Sequence, residues 1–239
     1  MTSPTTFNLL SFYATPEHPC SYLAERQAVT VFADPEFRKD TRLYTALSRY
    51  GFRRSGQHIY RPRCPSCEAC VPVRVPVRDF APRRSQRRAW RRNQDLRVAP
   101  RLPVFNQEHF ALYNCYLEGR HKGGGMDDPT PRQYMEFLTC AWSDTVFYEL
   151  RLGEDLLGVT VADRLEDGLS AVYTFFDPAS AERSLGVFAI LWQIAEARRL
   201  GMEWVYLGYW IEQSAKMRYK TEYQPLEYFR QGRWTRVSG

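Results

Sequence analysis

A CxxCxxC motif in the stretch RPRCPSCEAC places three cysteines at metal-ligand spacing: Cys64, Cys67 and Cys70. Three thiolates leave one position open, because structural zinc takes four ligands. Cys20, in EHPCSYL, is the candidate for the fourth ligand, and His18 and His58 are alternatives. The same set would accept a cubane iron–sulfur cluster. The other interpretation is that these cysteines are ordinary reduced thiols in a turn.

Directly after the cysteines, six arginines fall within ten residues: Arg83, Arg84, Arg87, Arg88, Arg91 and Arg92. The segment APRRSQRRAWRRNQDL predicts a helix with the arginines on one half and Ala89 and Leu96 on the other. Each like-charged pair four residues apart costs about 0.2–0.5 kcal/mol, and no acidic residue lies between Asp79 and Asp95 to compensate. Phosphate groups would compensate for this repulsion, because arginine binds phosphate bidentately. We therefore expect this helix to bind a nucleic-acid backbone; a solvated face is the alternative.

A third group of residues that could bind a ligand lies near the end of the chain, in KMRYKTEYQPLEYF. Lys216 and Lys220 stand four residues apart and share a face if this segment is helical, with Tyr219 beside them. Two ammonium groups framed by aromatic rings suit a carboxylate or phosphate ligand. The alternative is a surface helix whose lysines reach into solvent while its tyrosines pack inward.

The positive charge of the chain is concentrated around these motifs. The net charge is +6, yet residues 61–100 alone carry eleven arginines against three acidic residues, a local charge of +8. A patch of this kind indicates a polyanionic partner, with nucleic acid favoured over an acidic membrane surface.

The composition excludes several classes of protein. A hydrophobic content of 44% excludes a disordered chain, and the apolar runs are shorter than a bilayer span. The N-terminus lacks the basic start and apolar block of a signal peptide, so we expect a cytoplasmic protein. Six cysteines in such a protein indicate free thiols or a metal site and argue against a disulfide framework.

The elements that must position these motifs follow from hydrophobic periodicity. The pattern predicts helices over residues 34–52, 81–96, 106–122, 131–142 and 184–201, and strands over residues 58–62, 71–77, 145–152, 156–165, 169–178 and 203–210. The prolines within 71–77 favour an edge strand, and 97–104 is interpreted as a linker. The pattern predicts an α+β fold, with helices packed on a mainly antiparallel sheet.

Six stretches, in order and covering nearly the whole chain, resemble the arginyl-tRNA-protein transferase family and in particular its bacterial leucyl branch. They are FYATPEHPCSYL, YRPRCPSCEACVPVRVPVRDFAPRRSQRRAWRRNQDL, GRHKGGGM, GLSAVYTFFDP, SLGVFAILWQIAEARRLGMEWVYLGYW and KMRYKTEYQPLE. The resemblance implies an N-acetyltransferase-like domain over residues 99–239 and a smaller cysteine-bearing region with the basic helix over residues 1–98. The choice of the leucyl branch depends on the cysteine and arginine segment.

The resemblance also implies an activity. Leucine would be transferred from leucyl-tRNA to proteins whose first residue is Asp or Glu, which marks them for degradation, and the transfer requires no cofactor. The cysteines 20, 64, 67 and 70 fall in the family's cysteine-bearing segments, and Lys216, Tyr219 and Lys220 fall in its KMxYK signature. Ser214 departs from the family, which commonly has cysteine there, so a thiol at this position is not required.

The sequence does not identify the catalytic groups, although His121 and Asp163 are candidates for moving the proton of the amine. Three other functions stay open. The first is the arginyl-tRNA-protein transferase activity of the same family. The second is an acetyl-CoA-dependent N-acetyltransferase, whose pyrophosphate loop is matched only in part, at Arg183 and Gly186. The third is a non-catalytic, zinc-ribbon-like RNA-binding module.

Overall fold

The computed structural model describes residues 10–120 and 128–236. Within these ranges five α-helices are formed: α1 (Thr41–Arg49), α2 (Arg84–Arg92), α3 (Gln107–Arg120), α4 (Pro131–Leu138) and α5 (Leu185–Arg199). Two short 3-10 helices cover Pro178–Arg183 and Arg218–Glu222. Each of the five predicted helices is therefore present.

The described residues form fourteen strands, several of which are short. They are β1 (Phe12–Ala14), β2 (His18–Pro19), β3 (Gln27–Ala28), β4 (Thr30–Ala33), β5 (Arg53–Ser55), β6 (His58–Pro62), β7 (Val71–Pro76), β8 (Arg97–Arg101), β9 (Asp144–Leu152), β10 (Asp155–Arg164), β11 (Gly168–Phe176), β12 (Trp204–Trp210), β13 (Glu227–Arg230) and β14 (Arg233–Arg236).

Eight of these strands make one large sheet in the order β14-β13-β7-β12-β11-β10-β9-β8. Every neighbouring pair is antiparallel except β11 and β12, which are parallel. A second sheet has the order β1-β4-β6-β5, and β2 pairs with β3 alone. The α+β prediction with a mainly antiparallel sheet is confirmed.

Helices cover both faces of the large sheet. Helix α5 packs its buried face, including Leu191 and Ile194, against Val73 and Val75 of β7 and Val205 of β12. On the other face, α3 and α4 enclose an aromatic core with strands β9–β11. Within the described ranges, no helix has the length and the apolar character needed to cross a bilayer.

Strand β7 is internal, so the prediction of an edge strand is wrong. It pairs with β12 over its whole length and with β13 on the other side. Pairing with β13 involves only Val73 and Arg74, so Pro72 and Pro76 lie outside the part that is bonded on both sides. Each proline therefore avoids a position where a missing N–H would break the ladder. The division of the chain at residue 98 stays a prediction, although β7 lies within the large sheet.

Two other boundaries differ from the sequence prediction. The predicted linker contains β8, which pairs only with β9, and this edge position tolerates Pro100. Helix α1 begins at Thr41, several residues after the predicted start, because the Asp40 carboxylate caps it by accepting from the Leu43 N–H at 2.7 Å.

Candidate functional site

The parallel strands β11 and β12 stop pairing part-way along the large sheet, and the gap between them is called the cleft below. They pair at only three positions, from Gly168–Trp204 to Ser170–Tyr206. Beyond this point β12 continues to pair with β7 but not with β11, and its register shifts between Tyr206 and Gly208. Backbone groups that face the cleft must therefore find partners outside the β11–β12 ladder.

Two cations donate hydrogen bonds to backbone carbonyls on the two sides of this cleft. The Arg53 Nη2 of β5 donates to the Ala171 carbonyl of β11 at 2.5 Å, and the Lys220 Nζ donates to the Tyr209 carbonyl of β12 at 2.6 Å. Gly208 has φ = +82°, and the Cβ of any other residue at this position would collide with the Arg53 guanidinium. The guanidinium thus lies directly against the β12 backbone, in a position that only glycine permits.

Lys220 is a buried cation, with 5% of its surface exposed. Its ammonium also contacts the Met217 thioether at 3.4 Å and lies 5.9 Å from the centroid of the Tyr219 ring. Burial and, to a lesser extent, the positive charge of Arg53 together lower the pKa of Lys220 to about 7. An anion in the cleft would reverse this shift, because it favours the charged ammonium.

Tyrosines surround the Arg53 side of the cleft. The Tyr209 hydroxyl donates to the carbonyls of Gly51 and Tyr60, each at 3.1 Å. Burial raises the pKa of Tyr22 to about 12 and raises the pKa of Tyr60 and Tyr209 as well. These phenols are therefore neutral hydrogen-bonding groups at physiological pH.

Lys216 and Lys220 do not share a helical face. The segment from Ile211 to Met217 forms turns, and only the 3-10 helix Arg218–Glu222 follows. Lys216 is exposed whereas Lys220 is buried, so the structure places Lys220 in the cleft and Lys216 at the surface. Tyr219 is half-exposed beside Lys220. Helical spacing was the wrong basis for pairing the two lysines, because Ser214 and Met217 instead close turns through backbone hydrogen bonds.

Helix α2 presents all six predicted arginines to solvent. Its buried face carries Gln86 and Ala89, and the Gln86 amide donates to the Glu222 carbonyl at 3.0 Å. At the other end of α2, the Asn93 amide donates to the Arg183 carbonyl at 2.7 Å. These bonds fix the arginine-bearing helix between the segment that carries Lys220 and the start of α5. The first turn of α2 is thereby joined to the segment that carries Lys220.

The four candidate metal ligands line one cavity of about 790 Å³. The lining includes Cys20, Cys64, Cys67 and Cys70, but neither His18 nor His58. Two of the sulfurs accept hydrogen bonds, Cys64 from the Val29 N–H at 3.4 Å and Cys67 from Arg26 Nη1 at 3.2 Å.

The donor set suits a closed metal site, although the sulfurs are not gathered around one point. Four thiols match the ligands of structural zinc, and N–H groups directed at sulfur are typical partners of ligating thiolates. Burial, followed by the charges of the other three cysteines, raises the pKa of Cys70 to about 12. Among the residues that the structure describes, no three such side chains lie close enough together to hold a metal ion. Binding would therefore require the sulfurs to move inward.

The structure describes one of the two candidates for proton transfer, Asp163. His121 lies outside the described residues. Both oxygens of Asp163 are bonded to Arg54 at 2.7 Å, and the Thr145 hydroxyl donates to one of them at 2.6 Å. Asp163 is therefore engaged as a structural ion pair.

Comparison with known proteins accounts for most of the chain. Residues 18–88 match the family model described as "Arginine-tRNA-protein transferase, N terminus", and residues 108–230 match the one described as "Arginine-tRNA-protein transferase, C terminus". The chain belongs to the arginine-tRNA-protein transferase family.

Individual relatives of this transferase carry a more specific name. The chain is 52% identical to a protein of Pseudomonas aeruginosa (strain LESB58) named "Aspartate/glutamate leucyltransferase", over 96% of this chain and 97% of that protein. Proteins with the same name from Alcanivorax borkumensis and Nitrosococcus oceani are 52% and 51% identical, over 98% and 97% of this chain and 97% and 98% of theirs.

Among solved structures, the transferase is similar to two lysylphosphatidylglycerol synthetases. The C-terminal domain of the one from Agrobacterium fabrum matches with a TM-score of 0.46 and 13% identity, over 61% of this chain and 47% of that one. L-PGS from Bacillus licheniformis matches with a TM-score of 0.47 and 10% identity, over 61% and 48%.

The two matched segments of the transferase meet at the cleft. Arg53 belongs to the N-terminal segment, and Lys220 belongs to the C-terminal one. Sequence reasoning singled out Lys220 but missed Arg53. No spacing or motif marks Arg53, and only the pairing of β5 with β6 next to the large sheet brings it to Gly208.

Proposed function

We propose that this chain transfers leucine from leucyl-tRNA to the N-terminal Asp or Glu of proteins, creating a destabilising N-terminus that marks them for degradation. The observation that carries the proposal is 52% identity, over 96% of the chain, to a relative named for this activity. The membership in the arginine-tRNA-protein transferase family leaves arginyl transfer as the alternative, but the relatives carry the leucyl name.

The reaction does not require a covalent intermediate with the protein. The α-amine attacks the ester carbonyl of leucyl-tRNA, an amide forms, and the bond to the terminal ribose oxygen breaks. The amine loses a proton and the ribose oxygen gains one. The ester is already activated, so holding the amine beside it supplies much of the acceleration. Because the pKa of an N-terminal amine is about 7.7–8.0, roughly a tenth of such amines are neutral at pH 7.

The proposed roles follow the geometry. The exposed arginines of α2 bind tRNA phosphates and deliver the aminoacyl end to the cleft. Lys220 and Tyr219 bind the acceptor, whereas Lys216 lies at the surface. The parallel pair β11–β12, which is bonded at only three positions, is the feature that supports an N-acetyltransferase-like fold. Because charged tRNA is the proposed donor, the proposal includes a cytoplasmic location and no membrane partner.

The cysteine cavity has a structural role in this proposal. Zinc or an iron–sulfur cluster held by cysteines 20, 64, 67 and 70 would tie the segment around Cys20 to the turn before β7. No step of the transfer passes through it.

A panel of charged tRNAs and peptides tests the proposal. The purified chain is incubated with leucyl-tRNA or arginyl-tRNA and with peptides that differ only in a first residue of Asp, Glu, Asn or Ala. We expect leucine on the Asp and Glu peptides alone. Arginine on the same peptides would establish the arginyl alternative, and tRNA binding without any transfer would indicate a non-catalytic RNA-binding module.

A further inference from the structure

Arg53 is a partly buried cation without an acidic partner among the described residues. Its neighbour in sequence, Arg54, is fully neutralised by Asp163. In contrast, the hydrogen bond that the structure gives to Arg53 goes to the Ala171 carbonyl. A guanidinium has five N–H donors, so a single carbonyl leaves most of its fork free.

The second cation of the cleft, Lys220, is also bonded to a neutral acceptor. Its ammonium donates to the Tyr209 carbonyl and contacts the thioether of Met217. Arg53 is close enough for its charge to act on Lys220. Two cations held together away from water repel each other and favour the entry of an anion.

We infer that Arg53 and Lys220 together bind the side-chain carboxylate of the acceptor's first residue, with Lys216 outside the binding site; this inference rests on the proposed function. The planar fork of Arg53 can bind a carboxylate bidentately, and the Lys220 ammonium supplies a third donor. Arg53 is bonded to Ala171 of β11 and Lys220 to Tyr209 of β12, so a carboxylate held by both cations would lie between these strands, in the cleft that receives the aminoacyl ester.

The backbone holds Arg53 in this position from two sides. The Ala171 carbonyl fixes Nη2, and the missing side chain of Gly208 leaves room for Nη1. Because the guanidinium is already ordered before the acceptor arrives, little conformational entropy is lost on binding. The site is therefore preorganised for an anion.

Peptide binding and leucyl transfer by the full chain test the inference separately. Binding of peptides beginning with Asp, Glu or Asn is measured by calorimetry without tRNA, and transfer is measured with leucyl-tRNA. We expect Arg53→Met to weaken binding and kcat/KM for the Asp and Glu peptides by about tenfold to a hundredfold, as loss of a charge-assisted bond implies. The weak binding of the Asn peptide and the affinity for tRNA should not change. Arg132→Met removes an exposed arginine from α4 as the matched control.

Each outcome decides the inference. Equal losses for the Asp and Asn peptides would show that Arg53 only supports the Ala171 carbonyl, and an unchanged preference for Asp would also overturn the inference. If Arg53→Met unfolds, Arg53→Lys keeps the charge but loses the fork, and we expect it to retain the preference with several-fold weaker binding. A wild-type chain that prefers Asp peptides in calorimetry but transfers no leucine would overturn the proposed function alone.

Discussion

Arg54 and Asp163 form a bidentate ion pair, with Nε and Nη2 each 2.7 Å from a carboxylate oxygen and both side chains 0% exposed. The pair joins β5 of the smaller sheet to β10 of the large one. Arg54 also donates to the Leu138 carbonyl at 3.0 Å. This contact fixes the strand that carries Arg53 against the rest of the cleft.

Arg54→Leu should strongly destabilise the fold. The substitution leaves the Asp163 carboxylate buried without its cation, which costs about 3–5 kcal/mol in the free energy of unfolding. Urea denaturation measures this loss. Arg132→Leu, which breaks an exposed pair with Glu136, should cost about 1 kcal/mol or less. If Arg54→Leu lowers the free energy of unfolding by less than about 1 kcal/mol, water solvates the Asp163 carboxylate and the prediction is wrong.

Removing arginines from α2 should weaken tRNA binding without changing its sequence preference. Arg84 and Arg88 are the best sites, because Arg83 pairs with Glu222 and Arg87 donates to the Pro82 carbonyl. The double variant Arg84→Gln, Arg88→Gln should reduce the slope of log affinity against log salt by about one unit per lost phosphate contact. Filter binding over a salt series measures it. An unchanged slope would leave these residues as a solvated face.

The cysteine cavity should carry a metal. We expect the purified chain to hold about one zinc ion or one iron–sulfur cluster, and Cys64→Ser to lose it and to lower the melting temperature. Metal and acid-labile sulfide analysis with thermal unfolding measures both. Cys115→Ser is the matched control, because this thiol is exposed on α3. Equal metal contents in the two variants would argue against a site on these cysteines.

Binding of acidic peptides should weaken as pH rises through 7. The pKa of free Lys220 is about 7, and a carboxylate binds its protonated form, so affinity is greatest below pH 7. Above pH 7 the loss can reach about tenfold per pH unit. The other groups facing Lys220 are Arg53, Tyr209 and Tyr219, and the raised pKa values of the two tyrosines keep their phenols neutral. Calorimetry from pH 6 to pH 9 should show a steeper loss for the wild type than for Lys220→Met.

Regular periodicity carried much of the fold prediction. Runs of β-branched and aromatic residues between turn signals identify β9–β11, and the long apolar helical segment identifies α5. The pairing between distant segments could not be predicted, because the sequence does not specify which strand lies beside which. The internal position of β7 depends on where β13 stops pairing, and β8 owes its formation to β9.

The candidate site could likewise be predicted only in part. Lys220 stood out among its aromatic neighbours, whereas Lys216 was paired with it by a helical spacing that turns replace. Arg53 had no such signal. Its role depends on Gly208, which is 155 residues further along the chain, and such a contact exists only after folding.

Strand β7 makes the order of synthesis matter for this protein. Its neighbours β12 and β13 lie more than 120 residues later in the chain, and Arg74 is opposite both Tyr206 and Glu227. Such pairings between remote segments slow folding, because a long loop must close before any contact forms. The middle of the sheet is therefore completed only when the last strands leave the ribosome. Until then β7 is unpaired, and the valines that the folded protein buries are exposed. Nascent or truncated chains therefore present this strand to chaperones, proteases and one another.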